Sequence, residues 1–231
     1  MAAQFLVAFL VTAAFALLAH ALGMISRSGT LGGLLVGTAI YACLGPQGFA
    51  VLALFVVGGS LLTRLGYRSK QSTGTAQEHG GRRDARNALA NCAVAVLCAL
   101  LAAATGSDLF TTAFVASLGA AFADTSESEV GQLFGLSPRL ITTLRKVPSG
   151  TDGAVSLPGT LAGVTAAILT SALALALGLL DTPQSALLVA LAAFLGTVAD
   201  SLIGALLPRA GNEPTNVVCT LVAAVLAPIL P

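Results

Sequence analysis

Charge is scarce in this sequence. Of 231 residues, only 9% are Asp, Glu, Lys or Arg (10 acidic, 11 basic), whereas a soluble domain carries about 25%. Such a chain cannot cover a water-facing surface, and a soluble protein is excluded. Eleven cations at a net charge of +1 build no large basic surface, so nucleic acid is not an expected partner. Metal-type cysteine spacing is missing too. Cys43, Cys92, Cys98 and Cys219 lie in or beside apolar runs with no CxxC or Cys/His pattern. That disfavours a zinc site or a disulfide framework and leaves small buried hydrophobes. There is no periodic β pattern, no Walker A Gly-Lys-Ser/Thr, and no Ser/His/Asp set. Of the two histidines, His20 ends the first apolar run and His79 sits in a polar loop.

What is present is apolar length. Hydrophobic residues make up 56% of the chain and the mean hydropathy is +0.91. At ~20 residues per span, this predicts an all-α, polytopic membrane bundle of seven or eight helices in a single integral-membrane domain, residues 1–231. The spans are expected at about Ala2–Leu22, Leu31–Leu44, Phe49–Arg64, Ala85–Ala104, Leu109–Glu129, Ser156–Leu180, Gln184–Leu207 and Thr215–Leu230. The first lacks a basic n-region, so it reads as a retained helix and not a signal peptide. Gly45-Pro46, Thr105–Asp108, Asp181–Pro183 and Pro208 separate the spans. Gly, Ala and Ser within them suit close helix contact.

With eight spans, all eleven cations fall on one side, which the positive-inside rule makes cytoplasmic. The chain is then a multi-pass inner-membrane protein with both termini outside. The loops 65–84 and 130–155 are cytoplasmic, and Gln71–Gln77 is expected to be mobile. Arg64, Arg68 and Lys70 read as solvated loop cations. The cluster Arg82, Arg83 and Arg86 abuts a helix entrance and asks for more.

Asp124, Glu127, Glu129, Asp152, Asp200 and Glu213 fall on the same half as the cations. Asp124 and Asp200 lie inside apolar spans, roughly 8–10 Å below the interface at 1.5 Å per residue, and Asn91 reaches a similar depth. Intramembrane acids are costly and usually face a polar cavity, a partner or an ion. The bland alternative is a buried Asp–Arg pair that fixes packing. The functional one is a Mg²⁺ site, since Mg²⁺ takes one or two carboxylates together with substrate phosphates. Arg82, Arg83, Arg86, Arg145 and Lys146 above it would neutralise the phosphates. On the helical wheel, Glu127 and Ser128 share the face of Asp124, while Glu129 is about 140° away. Glu129 then either anchors an Arg elsewhere, or the helix unwinds at Gly131. The stretch Ser149–Thr160 offers a hydroxyl-rich helix start that suits phosphate, and Asn216 opens the last span toward the same pocket.

These motifs resemble those of a family of integral-membrane proteins that includes the plant phytyl-phosphate kinase of vitamin E biosynthesis and many uncharacterised bacterial and archaeal members. Arg82–Asn91 resembles its R-x-x-x-Q-x-x-A-N entry, with Asn87 where Gln is usual. Ala123–Gly131 is similar to its A-D-T-x-x-S-E-[IV]-G signature, and Gly153–Thr160 to its G-G-[VI]-S-x-x-G-T segment. Gly196–Ala205 resembles its G-x-x-x-D-S-x-x-G-A helix, and Asn216-Val217-Val218 its closing N-x-V. Asp152 and Glu213 depart from the pattern by adding negative charge near the expected phosphates.

The resemblance implies a kinase that phosphorylates an isoprenyl (phytyl-type) monophosphate to the diphosphate, with Mg²⁺ and a nucleoside triphosphate, CTP ahead of ATP. Site expectations follow from both readings. Asp124, Asp200, Glu129 and Lys146 are the expected catalytic residues. Arg82, Arg83, Arg86, Asn87, Asn91, Thr125, Ser128, Arg145, Gly153, Ser156, Ser201 and Asn216 are expected to bind nucleotide and lipid phosphate. Asp124, Asp200 and Glu127 are expected to hold the metal. Two alternatives stand beside this one: a cation-coupled transporter of small ions or lipid phosphates, and a nucleotidyltransferase that forms a CDP-lipid. Polar residues gathered near one face favour an enzyme over the midplane sites of transporters.

Overall fold

The computed structural model describes residues 2–230. The chain is a helical bundle. Among the described residues nine helices run in order: α1 (Ala2–Ala21), α2 (Arg27–Arg64), α3 (Tyr67–Ser72), α4 (Glu78–Gly81), α5 (Ala85–Thr105), α6 (Asp108–Phe134), α7 (Leu157–Ala176), α8 (Pro183–Leu206) and α9 (Asn212–Leu226). Six of them, α1, α2 and α5–α8, are long and apolar enough to cross a membrane. This is a multi-pass integral membrane architecture. The helix starts carry their own signals. Ser26, Asp84, Ser156 and Thr182 each accept a backbone N–H from three residues on, capping α2, α5, α7 and α8. Pro183 follows Thr182 at the first helical position, where its missing N–H costs nothing.

Helix α2 holds two of the expected spans. Gly45 sits at φ 66, ψ −164, outside helical space, directly before Pro46. The break is a reversal. Gly29 and Gly59 both lie against Arg83, whereas a straight helix would set them about 45 Å apart. Phe49, just past the break, packs back beside Gly37 and edge-on to Tyr41. The arms of α2 are therefore an antiparallel hairpin, with its tip next to the start of α1, where Gln4 bonds the Ala42 carbonyl. The last helix, α9, has 15 residues and ends four residues before the expected boundary.

Helix α6 is the centre of the bundle, touching α2, α5, α7, α8 and α9. Every residue from Ala113 to Ala123 is buried. Small residues set its spacing: Gly119 lies against Ala193 and Thr170, and Gly196 against Ala120 and Ala223. Cys92, Cys98 and Cys219 are buried and Cys43 is half-buried, as small apolar residues would be; all four are free. Helix α1 is peripheral and packs on α2.

The two polar loops are more ordered than their composition predicts. Of the stretch Gln71–Gln77 expected to be mobile, Gln71 and Ser72 close α3, and the Thr73 and Thr75 hydroxyls bond the Lys70 carbonyl. Helix α6 continues to Phe134, so the second loop starts later than Val130. That loop contains a small antiparallel pair, β1 (Arg139–Leu140) with β2 (Ala154–Val155). Strands of two residues leave no alternating pattern to read.

Candidate functional site

The ends of the helices decide where polar residues meet. α1 ends, α2 both begins and ends, α5 begins, α6 ends, α7 begins, α8 ends and α9 begins at one end of the bundle. All eleven cations lie at that end, while Asp108 and Asp181 mark the other. Between the helix ends and the two loops is a cavity of about 660 Å³, within the range of small-molecule sites.

Most of the expected site residues line it. Asp124, Thr125, Glu127 and Ser128 come from α6, Asp200 and Ser201 from α8, Asn87 and Asn91 from α5, and Asn216 from α9. Glu129, also from α6, and Arg82, Arg83, Gly153 and Ser156 complete the set. Gly153 holds φ +73, and a side chain there would collide with the backbone of Ser201 and Ala205, so only glycine lets this loop seat on the end of α8. Ser156 uses its hydroxyl to cap α7 at Gly159.

The carboxylates divide into two kinds. Glu129 is 3% exposed and pairs at 2.5 Å with Lys70, itself 1% exposed. Lys70 also donates to the Leu62 and Thr63 carbonyls, bolting α3 to the ends of α2 and α6. This is the only ion pair among the described residues. The anchored partner of Glu129 is a lysine and not an arginine, and α6 runs unbroken through Gly131. The catalytic role expected of Glu129 meets a carboxylate already occupied by a buried cation. The reading of Lys70 as a solvated loop cation is overturned by its burial and by the bonds of its ammonium to three residues, Leu62, Thr63 and Glu129.

Asp124, Glu127 and Asp200 have no such partner. They lie close enough to interact electrostatically. Glu127 accepts from Thr160 at 3.0 Å, while Asp200 Oδ1 is buried without any hydrogen-bond partner. Among the described residues no three His, Cys, Asp or Glu side chains form a ready-made metal shell. One or two carboxylates plus phosphate oxygens is the usual Mg²⁺ arrangement, and the orphaned Asp200 oxygen suits it.

Arg83 is the cation nearest these acids. Its Nη1 donates to Asn87 Oδ1 and its Nη2 to Thr125 Oγ1, each at 3.3 Å, and its guanidinium lies 4.6 Å above the Phe55 ring. Its backbone is fixed to Met24 and Ser26. Burial pulls its pKa below the ordinary value, opposed by the negative charges of Glu129 and Asp124. Arg82 is exposed at the mouth. Arg86, Arg145 and Lys146 are exposed and line no part of the cavity. Arg86 lies on the outer face of α5, and Lys146 is turned outward where it bridges back to Arg139 beside the β pair.

Other lining residues carried no sequence signal. Gln132, whose Oε1 is buried without a partner, Thr63 and His79 all face the cavity. So do residues of both loops, which meet where Thr75 abuts Gly150 and roof it over. A thin polar loop gives no sign of which of its side chains point inward.

The comparisons agree with this architecture. A family model described as Integral membrane protein DUF92 matches residues 10–224. An uncharacterised membrane protein of Synechocystis sp. is 38% identical over 200 residues, covering 83% of this chain and 77% of its own. The chloroplastic protein VTE6 of Arabidopsis thaliana is 35% identical over 186 residues, 78% of this chain and 56% of its own length. An uncharacterised membrane protein of Methanocaldococcus jannaschii is 31% identical over 227 residues, 97% and 93%. No solved structure matches the chain. Over nearly its whole length, then, the chain belongs to the DUF92 family of integral membrane proteins.

Proposed function

We propose that the cavity is the active site of a membrane isoprenoid-phosphate kinase, which moves the γ-phosphoryl group of a nucleoside triphosphate, CTP ahead of ATP, onto an isoprenyl monophosphate. The observation that carries this reading is the pairing of Asp124 with Asp200, whose buried Oδ1 has no partner, close to the Arg83 guanidinium, in a polar cavity at one end of an apolar bundle. Similarity to the chloroplastic VTE6 supports a lipid-phosphate substrate in the same family.

The chemistry asks for positioning and charge compensation more than for reactive side chains. The acceptor is a phosphate monoester, whose second pKa is about 6, so its attacking oxygen is already anionic at neutral pH. No general base is required, which suits a site built of carboxylates, amides and hydroxyls. The acceptor oxygen forms a bond to the γ-phosphorus as the bond to the β,γ-bridging oxygen breaks, and the nucleoside diphosphate leaves. Asp124 and Asp200 would hold Mg²⁺, with Glu127 beside them, and a metal held there would supply charge neutralisation for the phosphates. Arg83 orients a phosphate, its donors now engaged only by neutral acceptors. Asn87, Asn91, Thr125, Ser201 and Asn216 supply hydrogen bonds from four helices, α5, α6, α8 and α9. The cation-rich end of the bundle is the cytoplasmic one on the positive-inside rule, where nucleotide is available.

The test uses purified protein, Mg²⁺, an isoprenyl monophosphate, and CTP or ATP labelled at either the α- or the γ-phosphate. Label from the γ-position appearing in an isoprenyl diphosphate is the expected result. Label from the α-position in the lipid would replace this reading with nucleotidyl transfer, and no labelled lipid from folded protein would overturn both.

A further inference from the structure

Beside the polar cavity lies a second, apolar cleft between α1, the α2 hairpin and α5. Phe15, Ala16 and Ala19 of α1 face Gly33, Leu52 and Phe55 of α2 across it. Arg83, Asp84 and Asn87 line this cleft and the polar cavity alike. The two spaces therefore share one wall, and the cation in that wall packs on Phe55 from the apolar side.

Three observations give the cleft a direction and an occupant. Its polar end holds a guanidinium with no anionic partner, whose Nε is buried without any hydrogen bond. From Ala19 down to Thr12 at the other end the cleft runs about 10 Å, at 1.5 Å per residue. There the edge-on rings of Phe15 and Phe49, backed by Tyr41, close it. Finally, α1 rests on α2 and scarcely meets α5, so the cleft is open sideways between them. The cleft has a volume of about 50 Å³, room for a few water-sized groups at about 10–15 Å³ each. Only the first carbons of a chain fit inside; the remainder has to leave through the open side. An anion joined to an apolar chain is the ligand that satisfies both ends.

We propose that this cleft is the tail subsite: it receives the phosphate-proximal carbons of an isoprenyl phosphate, with the phosphate on Arg83 and the rest of the tail passing between α1 and α5 into the bilayer. The proposal rests on the reading of the polar cavity as an isoprenyl-phosphate site. It adds which helices hold the tail and which residue joins tail to headgroup. Gly33 is the natural probe, because it lines the cleft and a Cβ added there meets nothing within 4 Å.

The experiment places the full chain in lipid nanodiscs with an isoprenyl monophosphate bearing a diazirine on its first isoprene unit, and maps the photo-adducts by peptide mass spectrometry. Adducts should concentrate on α1 around Ala16–Ala19 and on α2 around Leu52–Phe55. Gly33→Leu should cut them at least tenfold, and Gly33→Ala should retain them. Adducts spread over α7 and α8 in the wild-type protein would overturn the proposal whether or not the variant folds. So would undiminished labelling in a Gly33→Leu protein that melts like wild type. Phosphoryl transfer measured in parallel separates the two readings. Cleft labelling without any transfer from nucleotide upholds the subsite and overturns the kinase; transfer with labelling elsewhere does the reverse.

Discussion

In the last turns of α6, Asp124 and Glu129 stand five positions apart, about 140° around the helix, and meet different surroundings. Glu129 borders the cavity too, but its carboxylate is held in a pair with Lys70 of α3, both almost fully buried. Asp124 turns into the cavity toward Asp200 and Glu127, with no cation in pairing distance. The same residue chemistry on one helix thus does two jobs. A buried charge with its partner in place holds the loop that roofs the cavity. A buried charge without one is held in an unfavourable setting by the rest of the fold, and such acids in membrane helices mark sites where a cation or ligand completes the surroundings.

This contrast can be broken from either side. The largest effect is expected at the pair. Glu129→Gln or Lys70→Met leaves one buried charge uncompensated, and about 3–5 kcal/mol of stability should be lost. The double variant Lys70→Met with Glu129→Leu should recover most of it, as read by thermal or denaturant unfolding in detergent. If the single variants melt normally but lose turnover, Glu129 belongs with Asp124 after all. Next comes Arg83→Lys, which keeps the charge but removes the planar fork of donors. Affinity for nucleotide or lipid phosphate should fall about tenfold, or 1.4 kcal/mol, with the melting temperature little changed. Smallest are Arg145→Ala and Lys146→Ala. Both side chains are exposed outside the cavity, and each variant should keep turnover within about twofold of wild type. A large loss there would mean that the β1–β2 loop closes inward over bound substrate.

The positions of these residues show what a sequence alone can place. Asp124, Asp200 and Asn91 were legible because helix rise converts sequence distance from a span's end into depth, and three equal depths imply one site. The Gly45-Pro46 break was legible because local backbone chemistry dictates it. Lys70 was not, since a lysine in a polar tract looks solvated until its partner, 59 residues further on, is known. Charge and chain proximity alone group Arg86, Arg145 and Lys146 with the site. Which way each points depends on the exposed face of α5 and on a two-residue strand pair, and neither leaves a pattern in the sequence. The roofing contact of Thr75 with Gly150 joins two loops with no local signature at all.

The central claim is that the unpaired carboxylates of the cavity carry the reaction through Mg²⁺, while the paired one carries structure. Asp124→Asn tests it most directly, because it keeps size and removes only the anionic ligand. At a folded fraction matched to wild type, γ-phosphoryl transfer should fall on the order of a hundredfold or more, and half-maximal activity should require more Mg²⁺. A folded Asp124→Asn protein with wild-type turnover and wild-type Mg²⁺ dependence would contradict it.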